Sequence, residues 1–296
     1  MNCSSRRHFI LGAGLGVAGA LLTTRASAQA PATAGPVDAT VLEDLVAANR
    51  ILVDQGVLDG YGHVSVRHPA DPQRYLMARS IAPELVTAAD VMEYDLDSTP
   101  VDARGRTTYL ERFIHGEIYR ARPDVKAVVH DHSPSVIPFG VSTTPLRPLY
   151  HMSAFLGGGV PVFDIKTASG RSTDMLVRDG GLGRALAQTL GQRPVALMRG
   201  HGAVVVGPSL PIVVFRSVYT EMNARLQAQA MALGTPVTYL DDEEARRAEA
   251  SVAGTVGRPW ELWRAETAGE EIAAGADIVV LEVNGLTLRV GPAAPA

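Results

Sequence analysis

The sequence predicts an α/β fold, and three observations support this. Short β-branched runs that are typical of strands alternate with longer stretches that carry helix-start and helix-stop residues. No linker rich in Pro, Gly or Ser divides the chain after residue 38. The roughly 265 residues that follow a leader are enough for one substantial core. We therefore expect one domain over residues 38–296, with a C-terminal extension from about residue 235.

Six short strands are predicted ahead of a C-terminal hairpin. Each is an apolar run bounded by turn-forming residues, which is the pattern of a buried or half-buried strand. The runs are residues 60–67 (entered through a turn), 75–78, 91–96, 126–132, 195–198 and 203–206, and the hairpin spans 278–290 around Asn284-Gly285.

Helices are predicted where a capping residue precedes an apolar period. Asp38, Thr108 and Ser209 are the predicted caps, and Glu111 stands at the third position after Thr108, as in a capping box. The predicted helices are residues 38–56, 109–120, 175–190, 209–234 and the charged stretch 241–250. Residues 140–172 are predicted to be rich in loops.

The N-terminus has the pattern of an export signal. Ser5-Arg6-Arg7 is a twin-arginine pattern, an apolar run over 9–22 follows, and Ala26-Ser27-Ala28 offers a cleavage site. The run is too short and too rich in glycine for a membrane span. We predict a twin-arginine signal peptide at 1–28, a flexible leader at 29–37, and export to the periplasm by the twin-arginine machinery. An uncleaved anchor or a disordered tail is the alternative.

The composition excludes several classes of site and partner. The only cysteine, Cys3, lies in the predicted signal, so the mature chain has no disulfide, thiolate nucleophile or Cys-ligated zinc. Removal of residues 1–28 takes away three arginines and no acid, which changes the formal charge from −4 to −7. Because nucleic-acid binding depends on clustered Lys and Arg, this acidic chain is not expected to bind nucleic acid.

Three histidines form the main candidate site. His130 and His132 follow the apolar stretch that starts at Lys126, and side chains two residues apart on a strand project from the same face. His201 lies at a glycine-flanked turn before another Val-rich strand. Three neutral imidazoles with an open position are typical of a catalytic divalent metal. The alternative is a set of hydrogen-bonded core histidines.

Three segments together resemble the class II aldolase/adducin family. They are GYGHVSVR (60–67), ERFIHGEIYRARPDVKAVVHDHSPSV (111–136) and RGHGAVVVG (199–207) followed by a long helix. The resemblance covers roughly residues 40–235 and includes the specific spacing E-x3-H-x3-Y-x2-RPD before V-x-H-x-H. This family includes fuculose-phosphate aldolase, ribulose-phosphate epimerase and related decarboxylases.

The resemblance implies a fold, a metal and an activity. It implies a three-layer α/β/α sandwich with a central, mainly antiparallel sheet, assembled as a homotetramer with sites near subunit boundaries. It implies that His130, His132 and His201 bind one divalent ion per chain, with zinc as first choice and manganese or iron as alternatives. Glu111 matches the catalytic acid/base. The implied enzyme is a metal-dependent carbon–carbon lyase, either an aldolase or a decarboxylase.

The residues are compatible with this chemistry. Aldol cleavage and decarboxylation both place negative charge on a substrate oxygen in an enolate, which a Lewis-acid cation stabilises. Both also move a proton at carbon, for which a carboxylate beside the metal is suited. Glu111 is the best candidate for that carboxylate, although it could instead be a capping residue. His115, four residues further on, is expected to pack in the helix interface through a backbone hydrogen bond, or to be a fourth ligand.

Departures from the sugar-phosphate pattern indicate the kind of small-molecule substrate. Members with phosphorylated substrates have a Gly-Asn turn where this chain has Gly62-His63, and small hydroxylated residues where it has Tyr109-Leu110. A phosphate dianion needs amides, hydroxyls or cations. We therefore expect a nonphosphorylated hydroxy-carbonyl compound or hydroxylated aromatic acid, as in the decarboxylase-like branch. The candidate substrate contacts are Gly62, His63, Ser65, Arg67 and His151.

Three other functions can be compared with the sequence. A Schiff-base aldolase needs a desolvated lysine, and the two lysines, Lys126 and Lys166, have no such context. A tri-histidine iron(II) oxygenase stays open, because imidazole ligands also suit iron. A nonenzymatic adducin-like interaction domain would be expected to lack site residues, whereas Glu111 and all three histidines are present.

Overall fold

A seven-stranded sheet forms the centre of the protein. The computed structural model describes residues 33–267, 277–284 and 287–293. The strands are β1 His63–Arg67, β2 Arg74–Ala78, β3 Val91–Asp95, β4 Ala127–Asp131, β5 Val162–Phe163, β6 Val195–Met198 and β7 Gly202–Gly207. Their order is β3-β2-β1-β4-β7-β6-β5, and every neighbouring pair is antiparallel except β5 with β6. The expected mainly antiparallel sheet is thereby confirmed.

Helices cover both faces of this sheet. They are α1 Ala39–Asp54, α2 Phe113–Ala121, α3 Ile137–Val141, α4 Ile165–Ser169, α5 Gly180–Leu190, α6 Leu210–Ala232, α7 Asp242–Ala253 and α8 Gly257–Thr267. A separate antiparallel hairpin pairs β8 Ile278–Asn284 with β9 Thr287–Pro292, as predicted.

Two hydrophobic cores lie on opposite faces of the sheet, because side chains alternate along each strand. In β4, Val129 packs with residues of α1, α6 and α8, whereas Val128 packs with residues of α2 and α5. In β7, Val205 belongs to the same core as Val129, and Val204 belongs to the same core as Val128. This arrangement is the expected three-layer α/β/α sandwich.

Two helices begin at the residues predicted to cap them, and a third has a cap that was not predicted. The Asp38 side chain accepts from the backbone N–H of Thr40 at the start of α1, and that of Ser209 accepts from Ile212 in α6. Asp241 accepts from two backbone N–H groups in α7 and forms a capping box with Glu244. These side chains satisfy backbone donors that have no partner within a helix.

Two predicted helix starts are wrong. α2 begins at Phe113 rather than Tyr109, because Tyr109 is extended and Glu111 has non-helical backbone angles in a 3-10 turn over Leu110–Arg112. Thr108 therefore caps nothing, and Glu111 is free for another role. α5 begins at Gly180 rather than Met175, where Asp179 provides the cap and Met175 has a φ of 71°.

The short helices α3 and α4, and helix α8, were not predicted. The first two have five residues each, too few for a helical period to be recognised. A 3-10 helix over His151–Leu156 likewise lies in the segment predicted to be loop-rich.

Some predictions concern residues outside the described ranges. The signal peptide at 1–28 lies outside them, as do residues 29–32 of the leader. Residues 33–37 have no regular secondary structure, and the backbone N–H of Ala34 donates to the carboxylate of Glu93. The described residues from 33 onward belong to one compact unit. No helix among the described residues is both long and apolar enough to cross a membrane.

Substitution of Gly116 by alanine tests the packing of α2. A Cβ there would lie 2.7 Å from the backbone oxygen of Leu96, which cannot move as a side chain can. We expect Gly116→Ala to lower the free energy of unfolding by about 1–3 kcal/mol through overpacking. Gly254→Ala is the control, because nothing lies within 4 Å of its Cβ position, and it should change stability by less than about 0.5 kcal/mol. Equal stability of the two variants in urea denaturation would contradict the packing.

Candidate metal centre

Four predicted site residues converge at one end of β4. They are Glu111, His130, His132 and His201, and one possible ligand atom of each lies within 4.8 Å of the others. His130 is on β4, His132 is the first residue after Asp131, where β4 ends, and His201 is in the turn between β6 and β7. Glu111 is in the 3-10 turn before α2. Residues up to 90 positions apart therefore share one small volume.

The turn that carries His201 lies directly against the end of β4. β4 and β7 pair antiparallel, with Asp131 opposite Ala203. A Cβ on Gly202 would overlap the backbone carbonyl of Asp131, so only glycine allows this approach. The glycine-flanked turn noted in the sequence is therefore needed for the histidines to meet.

Backbone carbonyls orient two of the imidazoles. His130 Nδ1 lies 3.0 Å from the Ala203 oxygen, and His201 Nδ1 lies 2.9 Å from the Met175 oxygen. A carbonyl can only accept, so each Nδ1 carries the proton and each Nε2 presents a lone pair to the cluster. His130 Nε2 is buried and has no hydrogen-bond partner. This unpartnered lone pair fits a site that holds a cation.

Glu111 presents one oxygen to the histidines. Its Oε1 accepts the backbone N–H of Val177 at 2.9 Å, while Oε2 lies 3.5 Å from His130 Nε2 and 3.4 Å from His201 Nε2. The first contact holds the carboxylate in place. The second oxygen is therefore available to a cation or to a proton.

The electrostatics of the cluster favour positive charge at its centre. Burial alone would raise the pKa of Glu111, but His130 and His201 outweigh it and lower that pKa below its ordinary value. Burial alone would lower the pKa of His130, but the Glu111 carboxylate raises it. Burial, followed by His130 and His201, lowers the pKa of His132 to about 4. The lowered pKa of His132 favours its neutral form, and a carboxylate with a neutral imidazole is a donor set that suits divalent transition metals.

The cluster lies in a cavity with largely apolar walls. The cavity has a volume of about 350 Å³. Aromatic and aliphatic side chains form much of its lining, and no Lys or Arg belongs to the lining among the described residues. Besides site residues, the lining includes Gly60, Tyr61, Ser80, Ile81, Ala82, Tyr109, Leu110 and Leu176.

Two of the predicted substrate contacts, Gly62 and His63, line this cavity. Gly62 has a φ of 87°, and a Cβ there would lie 2.9 Å from the His130 oxygen, so glycine is required on two grounds. His63 is opposite His130 in the β1–β4 pair, and their ring centroids are 5.2 Å apart.

The structure does not bring the other three predicted contacts to the cavity lining. Arg67 is buried and donates to the backbone oxygens of Val125, Tyr119, Arg122 and Pro72, so its guanidinium is occupied in holding β1. His151 is exposed and lines a separate cavity against α6 and α7. Ser65 is completely buried behind His63.

His115 differs from its predicted setting. Its Nε2 lies 2.6 Å from His63 Nδ1 and its Nδ1 lies 2.6 Å from Ser65 Oγ, so both ring nitrogens contact side chains rather than the backbone. It is not part of the metal cluster. The sequence spacing could have indicated these contacts. His63 and Ser65 are two residues apart on a strand and therefore share one face, and His115 and Tyr119 are four apart on a helix and likewise share one face. The backbone groups of Met175, Val177 and Ala203 gave no such signal.

Most of the chain is similar to known proteins. The family profile described as "Class II Aldolase and Adducin N-terminal domain" matches residues 43–228. The decarboxylase tropJ of Talaromyces stipitatus is 38% identical over 243 residues, which cover 74% of this chain and 91% of tropJ. A 3,4-dihydroxyphthalate decarboxylase of Arthrobacter keyseri is 30% identical over 241 residues, which cover 76% and 92%.

A solved structure shares the fold. The L-fuculose 1-phosphate aldolase from Glaciozyma antarctica PI12 matches with a TM-score of 0.65 and 23% identity, over 79% of this chain and 95% of that one. At this identity the likeness concerns the fold alone.

Metal content tests the cluster. We expect the purified protein to contain about one divalent ion per chain, and His130→Ala or His201→Ala to lose most of it, because each removes one of the converging donors. His151→Ala is the matched control and should keep the metal, since His151 lies in a different cavity. Elemental analysis measures this, and metal retained in both ligand variants would exclude the assigned site.

Proposed function

Because the chain belongs to the class II aldolase and adducin family, we propose that it is a metal-dependent decarboxylase of a hydroxylated aromatic acid. The observation that carries the proposal is the cluster of four donor atoms in a cavity with aromatic and aliphatic walls. The names of tropJ and of the Arthrobacter relative, both decarboxylases, support the choice of reaction.

We propose that His130, His132 and His201 hold one divalent cation, with Glu111 beside it. Zinc is the first choice for a tri-histidine set, and manganese or iron are alternatives. When bound, such a cation supplies Lewis-acid stabilisation of negative charge on a substrate oxygen.

The cavity supports an aromatic substrate. Its volume of about 350 Å³ is within the range of small-molecule sites and accommodates one substituted ring. Tyr61, Tyr109 and Leu110 offer flat and apolar surface to such a ring. The described lining residues include neither Lys nor Arg, so no cationic side chain is present among them to pair with a phosphate dianion. These features favour an aromatic acid over a sugar phosphate.

We propose that Glu111 moves the proton. Its Oε1 is held by the Val177 N–H, and its Oε2, which faces the cluster, accepts the proton of a substrate hydroxyl. It then donates this proton to the ring carbon that bears the carboxylate, ortho or para to that hydroxyl. The bond to the carboxyl carbon breaks, its electron pair returns to the ring, and carbon dioxide leaves. The phenolate takes up a proton from solvent, which balances the reaction.

We also propose assembly as a homotetramer with the sites near subunit boundaries. Tyr61 and Leu110, at the cavity, are 71% and 54% exposed, which is compatible with a neighbouring copy covering them. Size-exclusion chromatography with light scattering measures the assembly.

Glu111→Gln tests the acid/base assignment. We expect this variant to keep its metal but to lose roughly 100-fold or more of the turnover of 3,4-dihydroxybenzoate or 3,4-dihydroxyphthalate, because an amide cannot carry the proton. Glu117→Gln is the matched control on the same segment. Glu117 is a buried carboxylate that pairs with Arg184 outside the cavity, so turnover should persist. Full activity of Glu111→Gln would rule out Glu111 as the acid/base.

The same assay separates the rival functions. Release of carbon dioxide without oxygen uptake supports the decarboxylase, whereas oxygen consumption with iron bound supports the oxygenase. Cleavage of a hydroxy-carbonyl substrate in place of an aromatic acid supports an aldolase. A folded protein that binds no metal and turns over none of these compounds would support an adducin-like interaction domain.

Export to the periplasm is proposed on the pattern at the N-terminus. Arg6→Lys combined with Arg7→Lys should leave the protein in the cytoplasm of a bacterial host, because the export machinery recognises the arginine pair. Fractionation and immunoblotting measure this. Unchanged periplasmic recovery of the double variant would exclude twin-arginine export.

A further inference from the structure

A buried chain of hydrogen bonds runs from the cavity into the protein. His63 Nδ1 lies 2.6 Å from His115 Nε2, His115 Nδ1 lies 2.6 Å from Ser65 Oγ, and Ser65 Oγ lies 2.8 Å from the Tyr119 hydroxyl. The last three residues are at most 1% exposed. His63, at the other end, lines the cavity and packs on Tyr109 with ring centroids 4.6 Å apart. The proposed proton transfer by Glu111 does not use this chain.

The donors in this chain have a preferred direction. The Tyr119 hydroxyl contacts Ser65 Oγ and also receives a backbone hydrogen bond from Val128, so among these partners Ser65 is the acceptor available to the phenolic proton. If Ser65 donated to Tyr119, the phenolic proton would be buried without an acceptor, which is unfavourable. If Tyr119 donates to Ser65, then Ser65 donates to His115 Nδ1. His115 Nε2 then donates to His63 Nδ1, and each proton between Tyr119 and His63 Nδ1 has an acceptor.

This direction determines what His63 offers to a ligand. When His63 Nδ1 accepts, the neutral ring carries its proton on Nε2, the nitrogen not engaged by His115. We propose that His63 is a neutral hydrogen-bond donor that binds the carboxylate of the substrate, and that His115, Ser65 and Tyr119 are positioning residues that hold it in this tautomer. This inference rests on the proposed function for the identity of the ligand and on the structure for the tautomer.

A neutral hydrogen-bond donor suits a substrate carboxylate that is released as carbon dioxide. Arginine or lysine would stabilise the anionic substrate strongly, and this stabilisation would be lost as neutral carbon dioxide forms. A neutral imidazole orients the carboxylate with less stabilisation of the ground state. The described lining of the cavity contains neither Lys nor Arg, which leaves this task to neutral donors. His63 is beside His130, so it reaches atoms adjacent to those held at the cluster.

Nitrogen NMR of the ¹⁵N-histidine-labelled, metal-loaded protein tests the tautomer. In the wild type we expect His63 and His115 to be protonated at Nε2 and not at Nδ1, with signals assigned by their loss in His63→Gln and His115→Gln. Tyr119→Phe removes the donor that sets the direction and should produce a mixture of tautomers. Tyr75→Phe is the matched control, because the buried Tyr75 hydroxyl donates to the Arg112 oxygen outside the chain. Nδ1 protonation of His63 in the wild type, or no change in Tyr119→Phe, would overturn the proposal.

Calorimetric titration in the Glu111→Gln background, which is not expected to turn over substrate, tests the ligand with two probes. The probes are 3,4-dihydroxybenzoate and catechol, which differ only in the carboxylate. We expect Tyr119→Phe and Ser65→Ala to weaken binding of 3,4-dihydroxybenzoate about tenfold and that of catechol less than twofold. Equal losses for both probes would indicate a merely structural role and contradict the proposal. If the Glu111→Gln protein with an otherwise intact chain binds neither probe, the proposed substrate class fails, and the NMR result still decides the tautomer.

Discussion

The pairing of β4 with its two neighbours is the constraint on which the rest of the structure depends. β4 is the middle strand of seven, and its register places His130 between His63 on β1 and Val204 on β7. A shift of one residue would turn His130 to the opposite face, away from Glu111. The same register brings the turn with His201 against the end of the strand. Core packing and the site therefore rely on one alignment, which Val128 and Val129 secure from both faces.

The polar groups at this end of the sheet form two connected sets, one facing the cavity and the other buried in the protein. The donor cluster faces the cavity, and its histidines are oriented by backbone oxygens. The set of His63, His115, Ser65 and Tyr119 runs inward and is satisfied almost entirely by side chains. Burial of so many polar groups is tolerable only because nearly all have partners. The unpartnered Nε2 of His130 is an exception, and it lies where a cation is expected.

Sequence reasoning identified the strands well and the start of the acid-bearing segment poorly. The β-branched runs predicted β1, β4, β6 and β7 because a central strand is apolar on both faces. The convergence of the motif histidines and Glu111 could be anticipated because residue type and spacing are specific there. The start of α2 was misplaced because Glu111 bonds to Val177, 66 residues away, and local pattern contains no information on such a partner. Arg67 and His151 were expected at the cavity but do not line it, because their environments depend on tertiary packing.

The segment before α5 holds the site by its backbone alone. The oxygen of Met175 orients His201, and the N–H of Val177 anchors Glu111. These two hydrogen bonds therefore do not depend on which side chains stand at the two positions. Other residues can replace them, provided that they tolerate the positive φ at Met175 and the burial of Val177. The length of the segment has no such freedom. Inserting or deleting one residue would move both contacts at once, so we expect natural variation here by replacement and rarely by indels.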